Sequence, residues 1–147
     1  MHAEDIVEEF PVVTVDSNAL EAARMLAEHR LPGIVVTDPS GTPYAVLPAS
    51  QVVRFLVPTY IQDDPSLAGV IDESWADRAA EKLAGKSVRD VLPEHLQDIP
   101  SAKADDTIIE VAALMSQLRS PLVAVMKDGR LLGVVTASRL LAAALKR

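Results

Sequence analysis

The sequence predicts an α/β (α+β) fold built from two copies of a β-α-β-β-α unit, residues 1–57 and 87–147, separated by residues 58–86, which contain a further helix. The first observation is a repeated nonapeptide pattern, AVLPASQVV in one half of the chain and GVVTASRLL in the other. The second is that the same strand, helix and turn signals precede both nonapeptides in the same order, as expected of an internal repeat.

Identical residues fix the alignment of the two copies. Before the glycine turn the matches keep one spacing, and after it the spacing is one residue shorter. Chance identities would not keep their order along both copies, so we take the repeat as real. The matched pairs are Asp16 with Asp105, Glu21 with Glu110, Arg30 with Arg119, Pro32 with Pro121, Gly41 with Gly129, Ala49 with Ala137 and Ser50 with Ser138.

Each copy begins with a short strand, PVVTV in the first, and continues with a helix that has a capping signal. Asn18 with Glu21, and Thr107 with Glu110, have the spacing of a capping box, in which the cap and the third helical residue satisfy each other's backbone N–H groups. Apolar residues recur at helical spacing after both caps, so one face of each helix should be buried. The predicted helices cover residues 19–29 and 108–118.

The rest of each copy predicts two strands and a second helix. Pro32 and Pro121 end the first helices, and the apolar runs GIVVT and LVAVM follow as buried strands. Glycine turns lead to the strands YAVL and LLGVV. The second helices are expected to begin near Pro48 and Thr136, where proline suits a first turn and threonine suits a cap.

Residues 58–86 match neither copy. They start with a turn-rich stretch and continue with SWADRAAEKLAG, in which a serine, good helix formers and a terminal glycine predict a helix over residues 74–85. Trp75 is the only tryptophan of the chain, and we expect it to pack this helix against a neighbouring module rather than to bind a partner. KSVRDVL, residues 86–92, is predicted to be a lead-in turn to the second copy.

Composition limits the class of function. Apolar residues make up 49% of the chain, but no apolar run reaches the roughly 20 residues that span a bilayer. The N-terminus MHAEDIVEEF lacks the basic and apolar stretches of a signal peptide, so we expect a cytoplasmic protein without membrane insertion. A net charge of -7 argues against a nucleic-acid partner, because phosphate binding needs a basic surface.

No residue pattern predicts an enzyme or a metal site. The chain has no cysteine, and its histidines lack metal-ligand spacing. Adjacent carboxylates lie beside turns or helix starts, where negative charge is locally favourable, and no base or nucleophile accompanies them. These residues are His2, His29 and His95, and the pairs Asp63 with Asp64, Asp72 with Glu73 and Asp105 with Asp106. We therefore expect no catalytic and no metal-binding residues.

The order of these elements, together with VTV, LPGIVV or SPLVAV, the glycine turn and GVVTASRLL, resembles the cystathionine-beta-synthase (CBS) domain family in its tandem form. The resemblance covers most of the chain outside residues 58–86. It implies two CBS repeats packed through their sheets as a pseudo-two-fold module, which usually forms a homodimer. It also implies clefts between the repeats that bind adenosine nucleotides, and a regulatory role toward an enzyme or transporter rather than catalysis.

The resemblance singles out the end of each copy, where the family carries glycine, two apolar residues, threonine or serine and, after two more residues, aspartate. A threonine at a helix start can donate to a phosphate that also meets the first N–H groups of the helix, and an ionised aspartate accepts hydrogen bonds from ribose hydroxyls. Gly133 and Thr136 match this motif, but Arg139 stands at the aspartate position. Arginine accepts no hydrogen bond and would instead hold a phosphate.

The first copy departs further, because Ala45, Pro48 and Gln51 replace the glycine, the threonine and the aspartate. Only the Gln51 amide oxygen could accept a hydrogen bond from a ribose. The resemblance also implies a set of apolar residues near a bound base, namely Val12, Val13, Ile34, Val35 and Ala124. A structural interpretation of the motif stays open: Thr136 as a helix cap, and Gln51 and Arg139 as solvated helix residues.

Two main hypotheses of function follow, and an enzyme without a recognisable motif is kept as a third. The first is a free-standing regulatory CBS pair that forms a homodimer and senses AMP, ADP, ATP, S-adenosylmethionine or another anionic metabolite in an inter-repeat cleft, with no required cofactor. In this hypothesis residues 58–86 would report the ligand state to a partner protein. The second is a ligand-independent dimerisation or interaction module with degenerate nucleotide sites, and the loss of both aspartates supports it.

Overall fold

Both copies form a three-stranded sheet with two helices, in the predicted order. The computed structural model describes residues 1–70, 74–94, 96 and 99–146. The first copy contains α1 (Ala3–Ile6), β1 (Val12–Thr14), α2 (Ala19–Glu28), β2 (Gly33–Thr37), β3 (Pro43–Pro48) and α3 (Ala49–Leu56). The insert contains α4 (Thr59–Asp63), a 3-10 helix (Pro65–Val70) and α5 (Ser74–Leu83). The second copy contains α6 (Val88–Val91), β4 (Ser101–Lys103), α7 (Ile108–Leu118), β5 (Leu122–Lys127), β6 (Arg130–Thr136) and α8 (Ala137–Leu145).

The two sheets share one topology. In the first, β1 is parallel and β3 antiparallel to the central β2, and in the second, β4 and β6 flank β5 in the same way. The parallel pairs are possible because a helix crosses between their strands, whereas glycine turns join the antiparallel pairs. Gly41 and Gly129 have φ values of 89° and 77° in these turns. The topology confirms the predicted α/β repeat fold.

The first helix of each copy is capped at the predicted residue. Asn18 Oδ1 accepts a hydrogen bond from the Glu21 N–H (3.1 Å), and Thr107 Oγ1 accepts one from the Glu110 N–H (3.3 Å). The Glu110 carboxylate accepts in turn from the Thr107 N–H (3.2 Å), which completes a capping box. The second half of the box predicted at Asn18 and Glu21 is wrong, because the Glu21 carboxylate accepts no hydrogen bond from the Asn18 N–H.

The helices α2 and α7 end ahead of the predicted prolines. Arg30 and Arg119, a matched pair in the sequence repeat, have φ values of 52° and 49°. A left-handed residue after the last turn stops the helical hydrogen-bond pattern. Each helix has therefore already ended when the chain reaches Pro32 or Pro121.

The two short helices α1 and α6 are exchanged between the copies. Although α1 precedes the first copy in sequence, Ala3 and Ile6 are buried in the core of the second copy. Conversely, Val88 and Val91 of α6 are buried in the core of the first. In both cases the first N–H group of the short helix donates to a carbonyl just before the longer helix: Ala3 to Asp106 and Val88 to Ser17, at 2.8 Å each. Each core is therefore completed by residues from the other half of the chain.

An aspartate stabilises the start of each exchanged helix. The Asp90 carboxylate accepts hydrogen bonds from the Ser87 N–H (2.9 Å) and hydroxyl (3.2 Å), and these bonds lower the pKa of Asp90. Asp5 accepts from the His2 N–H (2.8 Å) in the same way. Because of this capping, residues 86–92 contain a helix where the sequence analysis predicted a lead-in turn.

The two sheets meet across a small apolar layer. Val35 of β2, Leu122 of β5 and Val134 of β6 are buried together, and Phe10 and Ile99 pack against them. The layer joins the central strands of both sheets, so a change in the relative position of the copies would have to repack it.

The insert is attached to the first copy at two points. Trp75 Nε1 donates to the Leu56 carbonyl at the end of α3 (3.1 Å), and Leu83 at the end of α5 is buried in the first core. These contacts confirm that Trp75 packs the inserted helix against a module. Three residues considered above for chemistry lie outside the described residues: Asp72, Glu73 and His95.

Candidate functional site

Thr136 lies at the junction of β6 and α8, within the motif that the sequence resemblance singled out. The residue is 6% exposed, and its Oγ1 accepts a hydrogen bond from the Arg139 N–H (3.2 Å). The same oxygen is 3.3 Å from Ser138 Oγ. Thr136 is therefore the N-cap of α8, and its hydroxyl already has partners within the protein.

Arg139, which replaces the family's aspartate, contacts the exchanged helix α1. Its Nε donates to the carbonyl of Ile6 (3.2 Å), the last residue of that helix. The last carbonyls of a helix lack partners within it, and positive charge near them is favourable. Arg139 thus fastens α1 to the second copy.

Gln51 makes the matching contact in the first copy. Its Nε2 donates to the carbonyl of Val91 (3.0 Å), the last residue of α6. Neither Gln51 nor Arg139 is simply solvated, because each is bonded to the end of the helix that its copy receives. Sequence analysis missed this role, although SVRD and HAED both carry the cap-and-aspartate spacing that marks the short helices.

Gly133 lies where the segment after α1 crosses β6. Glu8 and Val134 exchange two backbone hydrogen bonds here, of 2.8 and 2.9 Å. A Cβ at Gly133 would lie 2.8 Å from a Val7 methyl group and 3.0 Å from the Glu8 carbonyl carbon, which is too close. Glycine therefore permits the close approach of two backbones.

The apolar residues predicted around a base occupy several places. Val13 and Ile34 lie in the core of the first copy, Val35 lies in the layer between the sheets, and Ala124 is fully buried in β5. Val12 is 43% exposed, and of these five residues it lines the inter-repeat cleft described next.

An open cleft of about 500 Å³ lies between the copies and is called the inter-repeat cleft below. The first copy contributes Phe10, Val12 and Thr37, and the second contributes residues 129–134. Its charged residues are Glu9 and Arg130. The volume lies in the range of small-molecule sites.

Only some of the predicted site residues line the inter-repeat cleft. Val12 and Gly133 both line it, whereas Thr136, Arg139 and Gln51 do not. Sequence analysis did not select Phe10 or Arg130 as site residues. Arg130 follows the glycine of KDGR, a stretch whose composition indicated only a turn.

A tight turn forms part of the rim of this cleft. The Asp38 carboxylate accepts hydrogen bonds from the Ser40 hydroxyl and from the N–H groups of Ser40 (2.9 Å) and Thr42 (3.0 Å). The Ser40 hydroxyl makes the largest contribution to lowering the pKa of Asp38. These bonds fix the backbone at Ser40 and Gly41, which line the cleft.

The described part of the chain holds neither a membrane-spanning helix nor a cluster of metal-ligating side chains. None of its helices combines the length and the apolar character needed to cross a bilayer. Within residues 1–70, 74–94, 96 and 99–146, no three His, Asp or Glu side chains are grouped so that they could hold a metal ion.

The molecule is a paired α/β repeat module. Its two sheets face each other, its short helices are exchanged between the copies, and both copies line one cleft. The chain belongs to the CBS domain family, whose sequence profile matches residues 3–58 and 88–146. The match confirms that both copies are CBS repeats. A comparison with curated protein sequences found no match.

Solved structures with the same fold include a CBS domain-containing protein of unknown function from Kribbella flavida DSM 17836, with a TM-score of 0.90 and 58% identity over 99% of each chain. The CBS-pair protein CBSX2 from Arabidopsis thaliana has a TM-score of 0.71 and 19% identity over 98% of this chain and 94% of that one. A structure of CBSX2 in complex with AMP has a TM-score of 0.68 and 18% identity over 99% of each chain.

Proposed function

We propose that this CBS pair is a regulatory module that binds an adenosine nucleotide or another anionic metabolite in the inter-repeat cleft and signals occupancy to a partner enzyme or transporter. The observation that carries the proposal is that both repeats line this cleft. A ligand seated there contacts both repeats, so it favours the arrangement in which those contacts exist. The AMP complex of CBSX2, a protein with this fold, supports the ligand class.

The lining of the cleft suits a base and a single phosphate or carboxylate. Phe10 offers an aromatic surface for a base, and the planar guanidinium of Arg130 offers paired donors for an anion. Glu9 lies in the same cleft and would repel a polyphosphate. AMP and S-adenosylmethionine therefore fit the cleft better than ADP or ATP.

Thr136 and Arg139 form a second predicted site for the phosphate. Arg139 uses Nε for the Ile6 carbonyl, and a guanidinium carries further donors on its two Nη atoms. A phosphate on those donors would bind near the start of α8 rather than beside Arg130. The two arginines therefore distinguish two placements of the ligand.

The test is a calorimetric titration of the whole protein with AMP, ADP, ATP and S-adenosylmethionine. We compare the wild type with Arg130→Ala, Arg139→Ala and a control, Arg24→Ala, which changes an exposed residue of α2. AMP or S-adenosylmethionine should bind, Arg130→Ala should weaken binding about tenfold, and Arg24→Ala should leave it unchanged.

Three other outcomes would change this assignment. Loss of binding confined to Arg139→Ala would move the ligand to the Thr136 motif. A preference for ATP would contradict the role given to Glu9. Failure of all four compounds to bind at about millimolar concentration would contradict nucleotide sensing and favour the second candidate function.

The second candidate function is a ligand-independent dimerisation or interaction module. The observation that favours it is that both positions of the family's aspartate carry donors bonded to the protein's own backbone. Helices α7 and α8 also present exposed apolar side chains, at Ile109 (72% exposed), Leu141 (58%) and Leu145 (75%). Burying them in a homodimer would be favourable by about 25 cal/mol for each Å² of apolar surface.

Light scattering with size-exclusion chromatography tests the homodimer, which both functions share. Leu145→Lys should shift the protein toward the monomer, because a charge would replace an apolar contact. Tyr44→Lys changes another exposed residue, on β3, and should leave the mass unchanged. A wild-type monomer at every accessible concentration would contradict the homodimer.

A further inference from the structure

A second cleft, of about 510 Å³, lies outside the inter-repeat region. It is formed by the end of α3, by α4 and by α5, and we call it the insert cleft. Its volume also lies in the range of small-molecule sites. Its lining includes Leu56, Tyr60, Trp75, Arg78, Glu81 and Lys82.

Side-chain hydrogen bonds hold the walls of the insert cleft together. Trp75 Nε1 donates to the Leu56 carbonyl (3.1 Å), which ties α5 to the end of α3. Gln62 Nε2 donates to the carbonyls of Arg54 (2.9 Å) and Val57 (2.8 Å), which ties α4 to the same helix end. Because these bonds are internal to the protein, the cleft is formed before any ligand arrives.

One part of the lining is aromatic. Tyr60 is 53% exposed and Trp75 is partly buried, and both line the cleft. The Trp75 N–H is bonded to Leu56, so what the indole offers a ligand is apolar ring surface. Two aromatic side chains at a cleft favour a flat, unsaturated ligand, since offset ring pairs are favourable beyond the area they bury.

The other part of the lining is cationic. Arg78 and Lys82 are one helical turn apart on α5, so they lie on the same side of that helix. Lys82 Nζ lies 5.5 Å from the centre of the Phe55 ring, which restrains it near α3. Glu81 also lines the cleft and leaves one net positive charge among the three. That local charge is opposite in sign to the net charge of the whole chain, -7.

We propose that the insert cleft binds a small aromatic carboxylate, with the ring against Tyr60 and Trp75 and the carboxylate on Arg78 and Lys82. Guanidinium and carboxylate match as paired donors and acceptors. Leu83, the next residue of α5, is buried in the core of the first repeat, so the helix that lines the cleft also packs into that core. The site is independent of the inter-repeat cleft and of the function proposed for it.

Trp75 provides the measurement, because it is the only tryptophan and it lines the insert cleft. We titrate the whole protein with benzoate and record indole fluorescence, with benzamide and cyclohexanecarboxylate as comparison probes. Benzoate should give a saturable change. Benzamide lacks the charge and cyclohexanecarboxylate lacks the aromatic ring, so both should bind at least several-fold more weakly.

Variants assign the change to the proposed residues. Arg78→Ala should weaken benzoate binding about tenfold, and Glu81→Gln should strengthen it, because it removes the opposing charge. Arg24→Ala, on α2, should leave it unchanged, and circular dichroism checks that each variant is folded. Benzamide binding as tightly as benzoate, an unchanged affinity in folded Arg78→Ala, or the absence of saturation would each overturn the proposal.

Discussion

The two repeats hold their exchanged helices by the same contact with different chemistry. In the first repeat the neutral amide of Gln51 donates to Val91, and in the second the guanidinium of Arg139 donates to Ile6. The Arg139 bond is slightly longer (3.2 Å) than the Gln51 bond (3.0 Å), but a charged donor makes the stronger hydrogen bond at similar geometry. The comparison teaches that the fold sets where the contact is made, while the residue type sets how firmly it holds.

The segments that follow the exchanged helices differ further. Glu8 pairs with Val134 through two backbone hydrogen bonds. The residue at the corresponding place after α6 is Pro93, which has no N–H to donate. Among the described residues no bridge is found between Pro93 and β3. We therefore expect α6 to detach from the first repeat more readily than α1 detaches from the second.

The largest effect on stability is expected at Gly133, where the backbone of Glu8 packs against β6. Gly133→Ala should lower the free energy of unfolding by about 2 kcal/mol, because its Cβ would press against Val7 and Glu8. The aligned residue is Ala45, and Ala45→Gly should cost only about 1 kcal/mol through backbone entropy. Urea denaturation measures both. Equal losses at the two positions would remove the asymmetry inferred for the segments.

The contacts of Arg139 and Gln51 with the exchanged helices should contribute less to stability than Gly133 does, and the two contributions should differ from each other by less. Arg139→Ala is expected to cost about 1.5 kcal/mol and Gln51→Ala about 1 kcal/mol, since one donor is charged and the other neutral. Arg139→Gln gives the second repeat the residue of the first, and its cost should lie below that of Arg139→Ala. Hydrogen exchange at the α1 and α6 amides reports each helix separately. Faster exchange at α6 in Arg139→Ala, with α1 unchanged, would contradict the assignment.

The starts of α8 and α3 form a third pair of unlike sites. Thr136 caps α8 with its hydroxyl, whereas Pro48 precedes α3 and has no capping oxygen. Thr136→Ala should cost about 1 kcal/mol, and Thr136→Ser should restore most of it. Thermal unfolding of both variants separates the hydroxyl from the methyl group. A Thr136→Ser variant as unstable as Thr136→Ala would show that packing, and not capping, is responsible.

The smallest effect on stability is expected at low pH, at Asp90. Hydrogen bonds from Ser87 lower the pKa of Asp90, so the charged carboxylate stabilises the folded protein above its unfolded pKa, near 4. That contribution is lost as the pH falls through the lowered folded value. NMR signals of α6 should therefore broaden or shift below about pH 4 before those of the sheets. In Asp90→Asn they should no longer follow pH in this range, and persistence of the response would assign it to another group.

Most of the repeat fold could be predicted from the sequence because its signals are local. Capping at Asn18 and Thr107, the glycine turns and the apolar runs each act within a few residues, and the structure has the predicted strands and helices there. The helices α2 and α7 end slightly before the prolines that were predicted to end them. Arg30 and Arg119 already stop the helices, and a left-handed arginine has no distinctive sequence signal.

The site was harder to predict because its contacts join distant parts of the chain. Nothing near Arg139 indicates that Ile6, far away in sequence, lies at its side chain. The same holds for the cleft that combines Phe10 with Arg130. The roles of the motif residues as ligand contacts, and the division of the chain at residues 57 and 87, stay predictions.

The exchange of α1 and α6 makes each half of the chain incomplete without the other. The arrangement is that of a domain-swapped dimer whose two subunits have been fused by residues 58–86. Separately made halves would each leave apolar core surface in water until they met, because each carries the piece that covers the other. For this protein, assembly of the two repeats is therefore part of folding rather than a step that follows it.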